Sequence, residues 1–143
     1  MDKEFAVGKT KAVGYQVGVR RTFQVTVEEA WNLVTTRQGI EVWLGELSSY
    51  DFGVGAQFNT TSGISGEIRV INEHQNIRLT WKKKDWEKAS TLQIRTIKQK
   101  DNKCTISFHQ ENLPSFEVRE EMKARWDEVL DNLKTQNEGC NSK

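Results

Sequence analysis

A long amphipathic helix at the C-terminal end constrains the fold of this chain more than any other feature. The pattern begins near Pro114 and runs to about Leu133. Its apolar residues recur at spacings of four, four, three and four positions, which places them on one helical face: Val118, Met122, Trp126, Val129 and Leu133. Charged residues fill the opposite face, so one side of this helix must pack against a large apolar surface.

Short alternating segments upstream of the helix predict that surface. Ile77, Leu79 and Trp81 alternate with polar residues, and this two-residue period is typical of strands with one buried face. Turn-length connections between the segments favour antiparallel pairing. The predicted strands cover residues 13–25, 47–52, 56–61, 67–72, 77–82, 92–96 and 104–109.

Two short helices are predicted after the first strand. Thr26 and Glu29 form a capping-box pattern at the start of the first helix. A second helical turn is predicted at residues 40–44. The chain is therefore predicted to be α+β, with a curved antiparallel sheet of about six or seven strands around the long C-terminal helix.

The size and charge of the chain limit its organisation and its partners. A length of 143 residues predicts a single domain over residues 1–143, with an ordered core at about 13–134. Residues 1–11 predict a frayed terminus or a weak edge segment, and residues 135–143 predict a disordered tail. The net charge of +1 gives no global field that would favour nucleic acid or an anionic membrane, so neither is predicted as a partner.

The two cysteines, Cys104 and Cys140, do not form a metal-binding pattern. The sequence has neither a CxxC motif nor zinc-type spacing of cysteine and histidine, so we predict no metal and no cofactor. Free thiols are typical of a reducing compartment. The N-terminus lacks the apolar core of a signal peptide, and no run approaches the roughly 20 apolar residues of a membrane span. These features together predict a cytoplasmic protein.

Several motifs along the chain resemble one protein superfamily. They are TVEEAW at residues 26–31, WL at 43–44, GEI at 66–68, IRLTW at 77–81, SFHQENLP at 107–114 and WDEVLDNL at 126–133. With the element order, they resemble the START/Bet v 1-like helix-grip superfamily, and within it the family named for the C-terminal domain of the activator of the Hsp90 ATPase. The resemblance covers roughly residues 13 to 134. It implies a helix-grip fold with a hydrophobic pocket between the long helix and the sheet.

The residues predicted to line this pocket come from the strands, the long helix and the pocket mouth. Strand parity gives Val70, Leu79, Trp81, Ile94 and Phe108 on the inward face; the helix adds Met122, Trp126 and Val129; and the mouth adds Trp43, Leu44 and Phe58. The alternative interpretation is that the same side chains fill an ordinary core, because apolar stripes usually serve packing.

No residue pattern predicts a catalytic site. His74 lies in a predicted turn, and His109 shares the parity of Ser107, which points it away from the helix. A general base would have to lie in the pocket, within hydrogen-bond reach of a substrate. The segment at residues 82–88 mixes basic and acidic residues around Trp86. We interpret it either as a soluble hairpin tip or as a contact for nucleic acid or an acidic partner.

Three functions remain open from the sequence. The leading hypothesis is that the pocket binds an apolar or amphipathic small molecule, held by Trp81, Phe108, Met122 and Trp126. The second is a protein-interaction module of the co-chaperone kind, as the family resemblance implies. In the eukaryotic co-chaperone a separate N-terminal domain does much of the work on Hsp90, and this chain is expected to have no room for one. The third is an enzyme of the cyclase or hydrolase type, for which no convincing acid–base pair is present.

Overall fold

The computed structural model describes residues 9–10, 14–48 and 52–141. The elements in these residues are β1 Lys9–Thr10, β2 Gly14–Phe23, α1 Val27–Thr35, α2 Arg37–Trp43, β3 Gln57–Asn59, β4 Ser65–Asn72, β5 Asn76–Trp81, β6 Ser90–Lys100, β7 Lys103–Leu113 and α3 Phe116–Asn141. This order confirms the predicted α+β class, with two short helices after the first long strand and a long helix at the C-terminal end.

The strands form one antiparallel sheet in the order β1-β2-β7-β6-β5-β4-β3. Strands β3 to β7 follow one another as neighbours, whereas β2 pairs with β7 from the other end of the chain. Val19 lies opposite Phe108, and Phe108 lies opposite Ile94. Because paired residues share a face, these side chains lie on one side of the sheet, which we call the inner face. The helix α3 packs across this face, and the other side is the outer face.

Both short helices begin at capping residues. The Glu29 backbone N–H donates to the Thr26 hydroxyl at 3.1 Å, and the Thr26 N–H donates to the Glu29 carboxylate at 2.9 Å. This confirms the predicted capping box. Thr36 caps α2 by accepting from the Gly39 N–H at 3.2 Å. A Cβ on Gly39 would overlap the Leu33 carbonyl, so the two helices can approach this closely only because residue 39 is glycine.

The structure corrects the predicted bounds of several elements. The helix α3 continues to Asn141, so part of the predicted disordered tail is helical. The strand predicted at residues 47–52 is reduced to a bridge between Leu47 and Thr60, and residues 49–51 lie outside the described residues. The weak edge segment predicted within residues 1–11 is β1, although residues 1–8 are not described. Both β6 and β7 are longer than predicted because they pair with each other along most of their length.

A β-bulge in β4 moves one predicted pocket residue to the outer face. Ile68 pairs with Leu79, but the register then shifts and Val70 pairs with Arg78. Ile68 therefore lies on the inner face, and Val70 lies beside Arg78 on the outer face. The prediction that Val70 points inward was wrong, because strict alternation does not anticipate an extra residue in the strand.

The helix α3 is tied to β2 by an ion pair that explains why Arg21 interrupts the apolar pattern of that strand. Arg21 Nη2 lies 3.0 Å from Asp127 Oδ1, and its Nε lies 3.3 Å from Asp131 Oδ1. These groups are partly exposed, so they orient the helix more than they stabilise it. In the part of the chain that the structure describes, neither α3 nor another helix is long and apolar enough to cross a membrane.

Candidate functional site

Four aromatic side chains meet beneath α3, at the centre of the inner face. Trp126 of α3 stacks on Phe108 of β7, with ring centroids 5.1 Å apart. Trp81 of β5 meets Trp126 edge-on at 5.9 Å, and Trp43 of α2 meets Phe108 edge-on at 6.2 Å. All four are at most 1% exposed. We call these four residues the aromatic cluster, and their rings contact one another in the space predicted for a ligand.

A chain of hydrogen bonds crosses the same layer. The Trp126 indole N–H donates to Gln110 Oε1 at 2.8 Å, and Gln110 Nε2 donates to the Ser90 hydroxyl at 2.8 Å. Ser90 in turn donates to the Trp81 carbonyl oxygen at 2.6 Å. Because these groups are buried, the chain fixes the rotation of α3 over the sheet. Gln110 and Ser90 were not predicted, although Gln110 shares the two-residue parity of Phe108.

Ten of the eleven residues predicted to line the pocket are buried in one continuous core. The exception is Val70, which the bulge places on the outer face. The ten are Trp43, Leu44, Phe58, Leu79, Trp81, Ile94, Phe108, Met122, Trp126 and Val129. Their mutual packing is that of a core, which is the alternative interpretation of the sequence pattern.

The indole N–H of Trp81 differs from the buried polar groups around it, which are hydrogen-bonded. This nitrogen is buried, and none of the described residues offers it a hydrogen-bond acceptor. The ring is enclosed by Trp86, whose centroid lies 5.4 Å away, and by the Arg125 guanidinium, whose carbon lies 5.2 Å from the ring centroid. A buried donor without an acceptor costs about 1–3 kcal/mol, so Trp81 can bind an acceptor that reaches it.

Arg125 lies over the aromatic cluster at one end of a groove between α2 and α3. Its guanidinium carbon is also 5.9 Å from the Trp126 ring centroid. Burial lowers the pKa of Arg125, and the nearby carboxylates of Glu121 and Glu128 partly offset this shift. An arginine nevertheless stays charged in a protein. The groove has a volume of about 430 Å³ and holds this cation between two carboxylates, with Val42 opposite, so it does not select for anions.

The hairpin tip predicted at residues 82–88 folds back onto the core. Trp86 packs on Trp81, and Lys83 forms an ion pair with Glu121 of α3. Trp86 is therefore half-buried rather than presented to a partner. Beside this loop lies a concavity of about 600 Å³ at the start of α3, with an apolar side made of Trp86, Leu113, Pro114 and Val118.

Neither histidine is placed for acid–base chemistry in the core. His109 lies opposite Gln93 on the outer face, as its parity predicted, and its Nε2 is 3.1 Å from Gln16 Oε1. His74 lies in the turn between β4 and β5, where its ring is 6.1 Å from that of Trp31. Within residues 9–10, 14–48 and 52–141, no group of three His, Cys, Asp or Glu side chains could hold a metal ion.

Comparisons with known proteins agree with this fold. A family model described as Activator of Hsp90 ATPase homolog 1-like protein matches residues 24–137. A search among curated proteins gave no match. The crystal structure of CalU16 from Micromonospora echinospora is similar with a TM-score of 0.76 and 20% identity, over 92% of this chain and 80% of that chain. An Hsp90 activator from Plasmodium falciparum is similar with a TM-score of 0.72 and 26% identity, over 85% and 95%. The Aha1 dimer from Colwellia psychrerythraea is similar with a TM-score of 0.69 and 14% identity, over 83% and 92%.

Proposed function

Because this chain belongs to the Activator of Hsp90 ATPase homolog 1-like family, we propose that it is a protein-interaction module of the co-chaperone type. Its partner in this proposal is a chaperone of the Hsp90 class, and the contact is made by its surface rather than its interior. The likeness to the Plasmodium falciparum activator supports the proposal, since it extends over almost the whole of that chain.

The observation that carries the proposal is the packing of the aromatic cluster. Trp126 and Phe108 are in ring-to-ring contact, and Trp126 is hydrogen-bonded to Gln110. A ligand in this space would have to separate the rings and break the hydrogen bond. Each aromatic contact contributes about 0.5–1.5 kcal/mol beyond its buried area, so several such losses would oppose ligand binding. Binding at the surface requires none of these changes.

The test is the effect of this protein on ATP hydrolysis by Hsp90. Purified Hsp90 of the eukaryotic and of the bacterial type is titrated with the full chain, and the rate that persists with an Hsp90 active-site inhibitor is subtracted. We expect a saturable rise in the inhibitor-sensitive rate and a complex in sedimentation velocity. Flat rates with both chaperones, together with free sedimentation of the components, would contradict the proposal.

A second function, binding of a small molecule, is favoured by the unpaired indole N–H of Trp81. Trp86 contacts Trp81 and also borders the concavity of about 600 Å³ at the start of α3. A ligand in this concavity that displaced the Trp86 ring could offer an oxygen to the Trp81 donor. The fitting chemical class is an apolar or amphipathic molecule with one carbonyl, hydroxyl or carboxylate oxygen.

Native mass spectrometry of the gently purified protein tests this second function. We expect a bound small molecule that is released on denaturation. The variant Trp81→Phe keeps an aromatic ring and removes the indole N–H donor, so it should lower the affinity for that ligand by about tenfold. The control His109→Ala changes the outer face and should leave the affinity unchanged. A mass of the protein alone, with equal affinities of both variants for a panel of fatty acids, would reject the assignment.

A further inference from the structure

The outer face of the sheet brings together cations that are far apart in sequence. Arg20 lies opposite Ser107, and Ser107 lies opposite Arg95, so the two arginines flank one serine on the same face. Two residues further along β6, Gln93 lies opposite Arg78. All three arginines are exposed, whereas Val19, Leu79 and Ile94, adjacent to them in sequence and on the inner face, are buried.

Two lysines extend this surface at the turn between β6 and β7, where Lys100 pairs with Lys103. We call the five residues Arg20, Arg78, Arg95, Lys100 and Lys103 the outer basic face. Arg78 lies 3.7 Å from Glu111. Among the described residues, the other four have no carboxylate within 4.0 Å, so their charges are not neutralised within the fold.

The end of the outer basic face is concave. A hollow of about 600 Å³ is lined by polar and cationic side chains, and none of those described is a carboxylate: Arg20, Arg21, Thr22, Gln99, Lys100, Lys103 and Thr105. The Thr22 and Thr105 hydroxyl oxygens are 3.0 Å apart, and Gln99 Nε2 donates to Thr105 Oγ1 at 3.2 Å. An anionic group in this hollow would contact cationic side chains, and the hydroxyl and amide groups between these cations are held in place by hydrogen bonds to one another.

We propose that the outer basic face docks an acidic segment of a partner protein, an inference that rests on the proposed protein-interaction function. Arg20 and Arg95 lie two strands apart, which separates their backbones by about 10 Å. Carboxylates two turns apart on a helix have a similar spacing of about 10 Å. A guanidinium binds a carboxylate through two parallel hydrogen bonds, so two exposed arginines at this distance can each take one acidic side chain.

The side chains of this face favour an acidic protein segment over nucleic acid as the partner. The described outer-face positions of β2, β5, β6 and β7 are mostly amides, hydroxyls and cations, together with Gly18, Ile97, His109 and Glu111, and none is Phe, Tyr or Trp. Proteins that bind single-stranded nucleic acids stack bases on such rings. The net charge of +1 also provides no long-range attraction for a polyphosphate. A short acidic segment needs only the local cluster.

The experiment compares two variants with the same change in charge. Arg20→Glu with Arg95→Glu reverses two cations of the outer basic face. Lys84→Glu with Lys88→Glu reverses two exposed cations of the loop at residues 82–88, the other candidate contact for an acidic partner. Binding to a fluorescently labelled poly-glutamate peptide is measured by anisotropy, and binding to Hsp90 is measured in parallel. We expect the first variant to lose at least about tenfold in peptide affinity and the second to stay within about twofold, with both affinities falling as salt rises.

Each other outcome overturns a defined part of the proposal. Equal losses in the two variants would show that net charge rather than this face binds the peptide. Tighter binding of an oligonucleotide than of the peptide would reassign the face to nucleic acid, and binding only to a second copy would reassign it to self-association. If Arg20→Glu with Arg95→Glu still binds Hsp90 normally, the outer basic face is not the docking site, while the proposed function stands. If the unchanged protein binds the peptide but not Hsp90, the proposed function is wrong, while the outer basic face remains a docking site for an acidic segment. Arg20→Gln with Arg95→Gln replaces the reversal variant if that variant does not unfold cooperatively.

Discussion

The two faces of the sheet are built by the same strands and have opposite properties. On β7, Phe108 is buried beneath α3, while the next residue, His109, lies on the outer face beside Gln16. On β6, Ile94 is buried and Arg95 is exposed. The inner face stabilises the fold by burying apolar area, whereas exposed charges on the outer face contribute little to stability. The binding properties of the outer face can therefore change without disturbing the core.

Truncation of two adjacent residues on β7 tests the difference in stability between the two faces. Phe108→Ala removes a fully buried ring from the aromatic cluster and should lower the free energy of unfolding by about 3–5 kcal/mol. His109→Ala should change it by about 0.5 kcal/mol or less. Urea unfolding followed by circular dichroism measures both. Losses of similar size would show that the outer face carries as much of the stability as the inner one.

The same substitution at two glutamines compares the faces at a smaller scale. Gln110→Leu should lower the free energy of unfolding by about 1–3 kcal/mol, because the buried Trp126 indole N–H loses its acceptor. Gln93→Leu removes a part-buried hydrogen bond from Asn76 Nδ2 on the outer face and should have a smaller effect. The urea midpoints of the two variants decide the order. A larger effect at Gln93 would mean that the buried hydrogen-bond chain does not anchor α3.

The inner face also predicts a dependence on alkaline pH. Burial raises the pKa of the Cys104 thiol above its ordinary value of 9.0. The unfolded chain therefore releases this proton first, so the contribution of Cys104 is complete below pH 9.0 and is lost as pH rises toward the folded pKa. The loss is at most about 1.4 kcal/mol per pH unit. Cys104→Ala should show a shallower decline in urea midpoint above pH 9.0 than the unchanged protein, and parallel declines would place the thiol in contact with water.

The smallest expected effect is on the outer face. Arg20→Gln with Arg95→Gln removes two exposed charges that have no ion-pair partner among the described residues. The free energy of unfolding should therefore change by about 0.5 kcal/mol or less. Thermal unfolding at physiological salt measures the difference. A much larger loss of unfolding free energy would mean that these arginines make contacts that stabilise the sheet. They would then not be free to bind a partner.

The inner face could be predicted from the sequence because alternation is set by local backbone geometry. Leu79, Ile94 and Phe108 lie on that face in the register of the sheet, and the Thr26 capping box marks the start of α1. Val70 was predicted on the wrong face because a bulge is a property of two paired strands rather than of one.

Features that depend on pairing between distant segments could not be predicted. The position of Gln110 among apolar residues of β7 does not predict that it accepts a hydrogen bond from Trp126 of α3. Its second hydrogen bond, to Ser90, involves a third element. The outer basic face requires the register of β2, β7 and β6, since Arg20 and Arg95 are far apart along the chain. The same apolar pattern is expected for a pocket and for a filled core, so only the ring contacts distinguish them.

The pairing of β2 with β7 has a consequence for how the protein is made. During synthesis, β2 and the two short helices leave the ribosome long before β7 does. Val19 and Phe23, buried in the finished fold, stay exposed until β7 pairs with β2 and α3 packs over the inner face. The sheet therefore cannot close until β7 has emerged, and such long-range pairing slows folding. A nascent chain that stalls before β7 exposes these apolar residues and an unpaired strand edge, so synthesis of β7 is the step after which the risk of aggregation falls.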